Sequence, residues 1–207
     1  MIVIVDYGIG NLGSIANMFR KVGAAATISS DAAAIEDAEK IVLPGVGSFD
    51  RAMRELVASG LIPTLQAKVQ AGTPLLGVCL GMQLLGRGSE EGALPGLGWV
   101  DASVVHFRPP GSNGSRANLK VPHMGWNVLE PARDHPLLAD LGEEPRFYFV
   151  HSYHVVCDDP RTALGHADYG GPFVAAISQD NILGVQFHPE KSHKFGMQLL
   201  RNFAERI

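Results

Sequence analysis

The 207 residues carry 21 acidic against 17 basic side chains, a net charge of −4, and 46% of them are apolar. That balance argues against nucleic acid as a partner, and no apolar stretch approaches the roughly eighteen residues a membrane span needs. Length and composition predict one α/β domain over residues 1–207 with a full core.

Taken in chain order, Ile2–Val5 reads as the opening strand, with neither the basic region nor the cleavage site of a signal peptide. Ser14 is expected to cap a helix whose Ile15, Met18, Phe19 and Val22 recur on one face. Strands follow at Thr27–Ser29, Ile41–Leu43 and Leu75–Cys79. Asp31 is the expected cap of the Ala-rich stretch 32–38. Ser48 caps a further helix with Phe49, Met53, Leu56 and Val57 inward, and Gly60 ends it. This alternation predicts a doubly wound, mostly parallel sheet with helices on both faces. From Leu97 to Phe187 the texture changes to glycine, proline and β-rich segments, read as hairpins and mixed strands. That stretch includes a short helix near His135–Leu141 and a flexible loop at Gly111-Ser-Asn-Gly-Ser115. A last helix, Ser192–Ile207, places Phe195, Leu199, Phe203 and Ile207 on one stripe. Two cysteines are too few for a disulfide framework, Cys157 reads as inert packing, and the cytoplasm is the expected compartment.

Gly8-Ile-Gly10-Asn-Leu-Gly13 matches a dinucleotide-binding fingerprint, with Asp31 near the position of a ribose-binding acid. Glycines satisfy any tight strand-to-helix turn, and Asp31 is accounted for as a helix cap, so the reading is a structural or interface turn. His151 and His154 suggest a metal only superficially: three residues apart on a strand, they are expected to face opposite sides, and no metal is predicted.

Gly77-Val-Cys79-Leu-Gly81 has the form of a nucleophile elbow with cysteine in the place of serine. An apolar strand runs into a sharp turn, flanking glycines let strand and helix approach, and Cys79 arrives at a helix N-terminus that favours a thiolate. Met82 and Leu85 on that helix are read as core. Gln186-Phe-His188-Pro-Glu190 supplies a base and its orienting acid. In an extended chain His188 and Glu190 point to one side, and Pro189 favours that geometry. His188 is the expected base on Cys79, with Glu190 holding the imidazole. Pro44-Gly-Val46-Gly47 ends the third strand, where backbone amides can turn toward an oxyanion; the second donor is the amide of Leu80.

These residues resemble the triad-type, class I glutamine amidotransferases, which hydrolyse glutamine through a thioester on a doubly wound α/β fold. Within that family the chain is similar to the glutaminase subunits of imidazole glycerol phosphate synthase. The motifs that carry the likeness are Asp6-Tyr-Gly-x-Gly-Asn11, Leu43-Pro-Gly-Val-Gly-Ser-Phe49, Gly77–Gln83, Pro122-His-Met-Gly-Trp-Asn127, Tyr148-Phe-Val-His-Ser-Tyr153 and Gln186–Ser192. They span nearly the whole chain; Gly86-Arg-Gly88 and the loop at 111–115 depart from the pattern. The resemblance implies that Gly47, Gln83, Ser152 and Tyr153 hold glutamine and that Asn11, Trp126 and Lys191 lie toward a partner. That partner is a (β/α)₈ cyclase, bound as a heterodimer, which takes ammonia through its interior; no cofactor is implied. A glutaminase serving another synthase, a cysteine hydrolase of similar fold and a non-catalytic binding protein are the alternatives.

Overall fold

Four short apolar runs, each followed by an amphipathic stretch, wind the first part of the chain into a β–α layer structure. The computed structural model describes residues 1–108 and 119–207; the loop expected at 111–115 lies outside them. The order is β1 (Ile2–Val5), α1 (Leu12–Lys21), β2 (Ala26–Ser29), α2 (Ala32–Glu36), β3 (Lys40–Gly45), α3 (Phe49–Ala58), α4 (Ile62–Gln70), β4 (Leu75–Cys79) and α5 (Leu80–Leu84). The rest is mostly strand: β5 (Ala102–His106), β6 (His123–Val128), β7 (Glu130–Pro131), β8 (Arg146–His151), β9 (Tyr153–Cys157), β10 (Ala163–Asp168), β11 (Pro172–Gln179) and β12 (Ile182–Val185). Helix α6 (His193–Arg206) closes the chain, and a 3₁₀ turn forms at Pro136–Leu138, inside the segment read as a weak helix.

The main sheet runs β2-β1-β3-β4-β12-β11-β10-β7, parallel from β2 through β12 and antiparallel beyond. Strand β9 pairs with β11 and β5, while β6 and β8 form a separate antiparallel ribbon. Side chains alternate across a strand, so β1 feeds two cores. Ile2 and Ile4 pack with Ile15, Phe19, Leu199 and Phe203 of α1 and α6; Val3 and Val5 pack with Ile35, Phe49, Leu56 and Leu65 of α2, α3 and α4. Helices therefore cover both faces, as the β–α alternation predicts. No helix among the described residues is long and apolar enough to cross a membrane.

Several local expectations are corrected. Ser14 does not cap α1, which starts after Asn11 and carries Ser14 in its first turn. The positive φ angles of Gly8 and Gly10 complete the turn early, leaving Leu12 free to begin the helix. A side chain at Gly10 would also press its Cβ to 2.9 Å from Pro44, so this glycine is required by packing. Val57 is 61% exposed, because Ala52 rather than Val57 completes the buried stripe of α3 with Phe49, Met53 and Leu56. Asp31 does cap α2, its Oδ1 accepting from the Ala33 amide.

Candidate active site

Cys79 ends β4 with φ +55° and ψ −112°, a backbone that L residues rarely adopt and that costs on the order of 1–3 kcal/mol. Three glycines explain how the chain sustains it. A Cβ at Gly81 would lie 1.9 Å from the Leu43 carbonyl oxygen, one at Gly45 2.6 Å from the Gly81 nitrogen, and one at Gly77 2.8 Å from the Met82 backbone. β3, β4 and α5 are thus packed backbone against backbone, and the reversal after Cys79 has no alternative path. Met82 and Leu85 are buried as expected. Because α5 has only five residues, it brings first-turn N–H groups to the pocket rather than a long helix dipole.

His188 follows β12, the strand paired directly with β4. Its amide donates to the Tyr148 carbonyl at 2.9 Å, and Ser192 Oγ donates to the His188 carbonyl at 2.6 Å. The pairing with Glu190 stands, but the geometry differs from an extended i, i+2 pair. His188 is extended and Pro189–Lys191 is a 3₁₀ turn, which swings Glu190 back so that its Oε1 lies 2.8 Å from His188 Nδ1. Nδ1 therefore carries the proton toward Glu190, leaving Nε2 for the Cys79 sulfur in the same cavity. Burial alone would lower the His188 pKa; the hydrogen bonds and charges of Cys79 and Glu190 outweigh it and raise the pKa to about 10. Burial likewise opposes ionisation of Glu190, but hydrogen bonds from His188 and Asn11 hold its carboxyl below the usual value.

Cys79, Leu80, His188, Val46, Gly47, Gln83, Ser152, Tyr153, Asn11 and Lys191 line one cavity of about 500 Å³. It sits at the carboxyl ends of β3 and β4, where open α/β sheets take ligands. Among the described residues neither the Val46 nor the Gly47 amide donates to a backbone acceptor. A family model described as "Glutamine amidotransferase class-I" matches residues 3–207. The chain belongs to the class I glutamine amidotransferase family.

Within that family it is similar to imidazole glycerol phosphate synthase subunits named HisH. It is 52% identical to HisH 2 of Pseudomonas aeruginosa, with 100% of both chains covered. Identity to HisH 2 of Methanococcus maripaludis is also 52%, over 99% of each chain. With HisH of Salinibacter ruber it is 49%, over 99% of this chain and 94% of the other. Two solved structures share the amidotransferase fold at lower identity. A putative GMP synthase protein from Thermoplasma acidophilum gives a TM-score of 0.70 at 20% identity, covering 98% of this chain and 91% of that one. PurLQS from Thermotoga maritima gives 0.71 at 16%, covering 97% and 95%.

The amidotransferase site also contains contacts that motif reading did not supply. Asn11, expected toward a partner, donates to Glu190 Oε1 at 3.2 Å and so belongs to the base side of the pocket. Gln186 is fully buried and points Nε2 at Cys79 Sγ, 3.9 Å away. Gln83 donates both Nε2 hydrogens, to the Tyr153 carbonyl and to Gln186 Oε1, each at 3.0 Å, so only its Oε1 is left for a ligand. The Tyr7 hydroxyl donates to the Pro44 carbonyl at 2.7 Å, tying the start of the Pro44–Gly47 turn to β1. Burial, and then the charge of Cys79, push the Tyr7 phenol well above its ordinary pKa, so it stays a donor. Glu91, Pro122, Val150 and His151 complete the cavity wall. Trp126 lies outside it, half-exposed and stacked on the His193 ring at 5.3 Å, while Lys191 sits over Tyr148. His151 and His154 do not diverge: the chain breaks strand pairing at Ser152, and both rings touch Phe107. Cys157 is partly buried, and that burial pushes its thiol up to about 11, in keeping with inert packing.

Proposed function

We propose that this amidotransferase is the glutaminase subunit of imidazole glycerol phosphate synthase, hydrolysing glutamine at Cys79 and supplying ammonia for histidine biosynthesis. The observation that carries the mechanism is the convergence of Cys79, His188 with its partner Glu190, and the residues Val46, Gly47 and Leu80 around one cavity.

For attack, the Cys79 proton passes to His188. The sulfur attacks the carboxamide carbon, and the oxyanion that forms is met by the Leu80 amide and by the Val46–Gly47 segment. One such donor contributes roughly 3–4 kcal/mol in comparable sites. His188 gives its proton to the leaving nitrogen, the C–N bond breaks, and ammonia departs from a thioester. The thioester no longer carries the sulfur charge that helps raise the His188 pKa, so the neutral imidazole can take a proton from water. Hydroxide adds to the thioester, the C–S bond breaks, and glutamate leaves with the thiolate restored. Glu190 offsets the imidazolium charge and keeps Nδ1 protonated throughout. Thiolate, imidazole, carboxylate and backbone amides supply every step, so no cofactor is called for.

Gly47, Gln83, Ser152 and Tyr153 form the glutamine wall, with residues 1–207 acting as one glutaminase domain in the cytoplasm. The partner is a (β/α)₈ cyclase that receives ammonia through its interior. It docks as a heterodimer over the face where Met124 and Trp126 are exposed, beside Lys191 and the mouth shared with Asn11. The test is glutamate release by the purified chain alone and with the cyclase, together with cyclisation driven by glutamine or by added ammonia. Glutamine-dependent cyclisation only when both chains are present is the expected result; no glutamate release under any condition would refute the reading.

A further inference from the structure

We infer that His123 and His151 are positioning residues, which lock the Ser152–Tyr153 wall of the pocket to β6 through a one-way chain of hydrogen bonds. The direction of that chain follows from groups with only one available role. Asn127 stands at its head: Oδ1 accepts from the Val128 amide at 2.9 Å and Nδ2 donates to the Asp168 carbonyl at 2.7 Å, so the amide cannot be turned over. Nδ2 therefore faces His123 Nε2, 3.4 Å away, as a donor, and that nitrogen holds a lone pair. At the other end, His151 Nδ1 lies 2.9 Å from the Tyr153 carbonyl, which only accepts, so Nδ1 carries a proton. Between the rings, His123 Nδ1 and His151 Nε2 are 3.0 Å apart, room for one hydrogen. Since His123 has its lone pair on Nε2, its hydrogen is on Nδ1 and His151 Nε2 accepts.

Both rings are thus neutral Nδ1–H tautomers, the form that free histidine disfavours. A proton added to either would set an N–H against an N–H. The surroundings agree. His123 and His151 are 2% and 6% exposed, and the His123 ring is stacked between Phe149 and Tyr169 with centroids 4.9 and 4.1 Å away. Burial lowers their pKa values to about 4 and about 3. The Tyr153 carbonyl that ends the chain also accepts from Gln83, whose amide leads through Gln186 to Cys79. It is therefore pinned from both halves of the molecule at the wall proposed to hold glutamine, and the inference rests on that reading for its effect on substrate.

Two measurements test it. In the full chain labelled with ¹⁵N-histidine, long-range ¹⁵N–¹H correlations at pH 7 should show His123 and His151 as neutral Nδ1–H rings. In the complex with the cyclase, His123→Leu cannot donate, and KM for glutamine should rise about tenfold with kcat changed less than about threefold, the scale of one lost hydrogen bond. His123→Gln offers a donor and an acceptor at similar reach and should restore most of the loss. An Nε2–H or imidazolium form of either ring, a wild-type KM in His123→Leu, or a His123→Gln variant no better than His123→Leu would overturn the inference. If the wild-type complex releases no glutamate, the proposed function fails while the tautomers still test the pair. If His123→Leu does not fold, the tautomers decide alone.

Discussion

The nucleophile and the base follow adjacent parallel strands, β4 and β12, yet they are held on different principles. At the end of β4, Cys79 is held by backbone: Gly45, Gly77 and Gly81 leave no room for a Cβ, and the strained φ of Cys79 is imposed by main-chain packing of β3, β4 and α5. After β12, His188 is held largely by hydrogen bonds at its side chain and carbonyl, through Glu190, Asn11 and Ser192. Steric placement is all or none, whereas hydrogen-bonded placement is graded and depends on protonation. The two placements should therefore fail differently.

The largest effect is expected at the nucleophile itself. Cys79→Ala should lower glutamine-dependent turnover by on the order of 10⁴–10⁶ while ammonia-dependent cyclisation by the complex is unchanged. Glutamate release at a near wild-type rate would remove Cys79 from the chemistry. On the base side, Glu190→Gln keeps an acceptor for Nδ1 but loses the negative charge, so kcat should fall by about 10²–10⁴ with KM for glutamine little changed. A variant indistinguishable from wild type would detach Glu190 from His188.

The steric placement is probed by Gly81→Ala, whose Cβ would meet the Leu43 oxygen at 1.9 Å. Overpacking of backbone against backbone should destabilise the fold by about 3 kcal/mol or more, read as a lower urea midpoint. An unchanged midpoint would mean that the elbow can relax. The smallest effect is a pH slope. The folded His188 pKa of about 10 lies above the ordinary 6.5, so its contribution is complete below pH 6.5 and is lost as pH rises toward 10. Glu190, lowered from 4.5, contributes above pH 4.5 and loses that contribution as pH falls through its folded value. Denaturation midpoints of wild type minus His188→Gln should therefore be widest between pH 4.5 and 6.5 and narrow toward pH 10; a difference that grows with pH would contradict the pairing.

Much of this site is legible in local sequence because its parts are local devices. An elbow is a strand, two glycines and a nucleophile within five residues, and His188 and Glu190 are two apart, so residue type and spacing suffice. The same holds for β1 to β4, whose apolar runs need no partner to be recognised. Ser14 and Val57 escape such reading because a helix start and a buried stripe depend on what the neighbouring loop and sheet do, not on the residue alone. Side-chain hydrogen bonds between distant positions leave no periodic trace at all. Asn11 reaches Glu190 across 179 residues, Gln83 reaches Gln186 across 103, and His123 meets His151 only because β6 and β8 pair in one register. By itself the sequence determined which groups could do the chemistry and the succession of elements that carries them. Tertiary structure alone decided which of their protons face which lone pairs, because that depends on angles and distances set when strands distant in sequence pair.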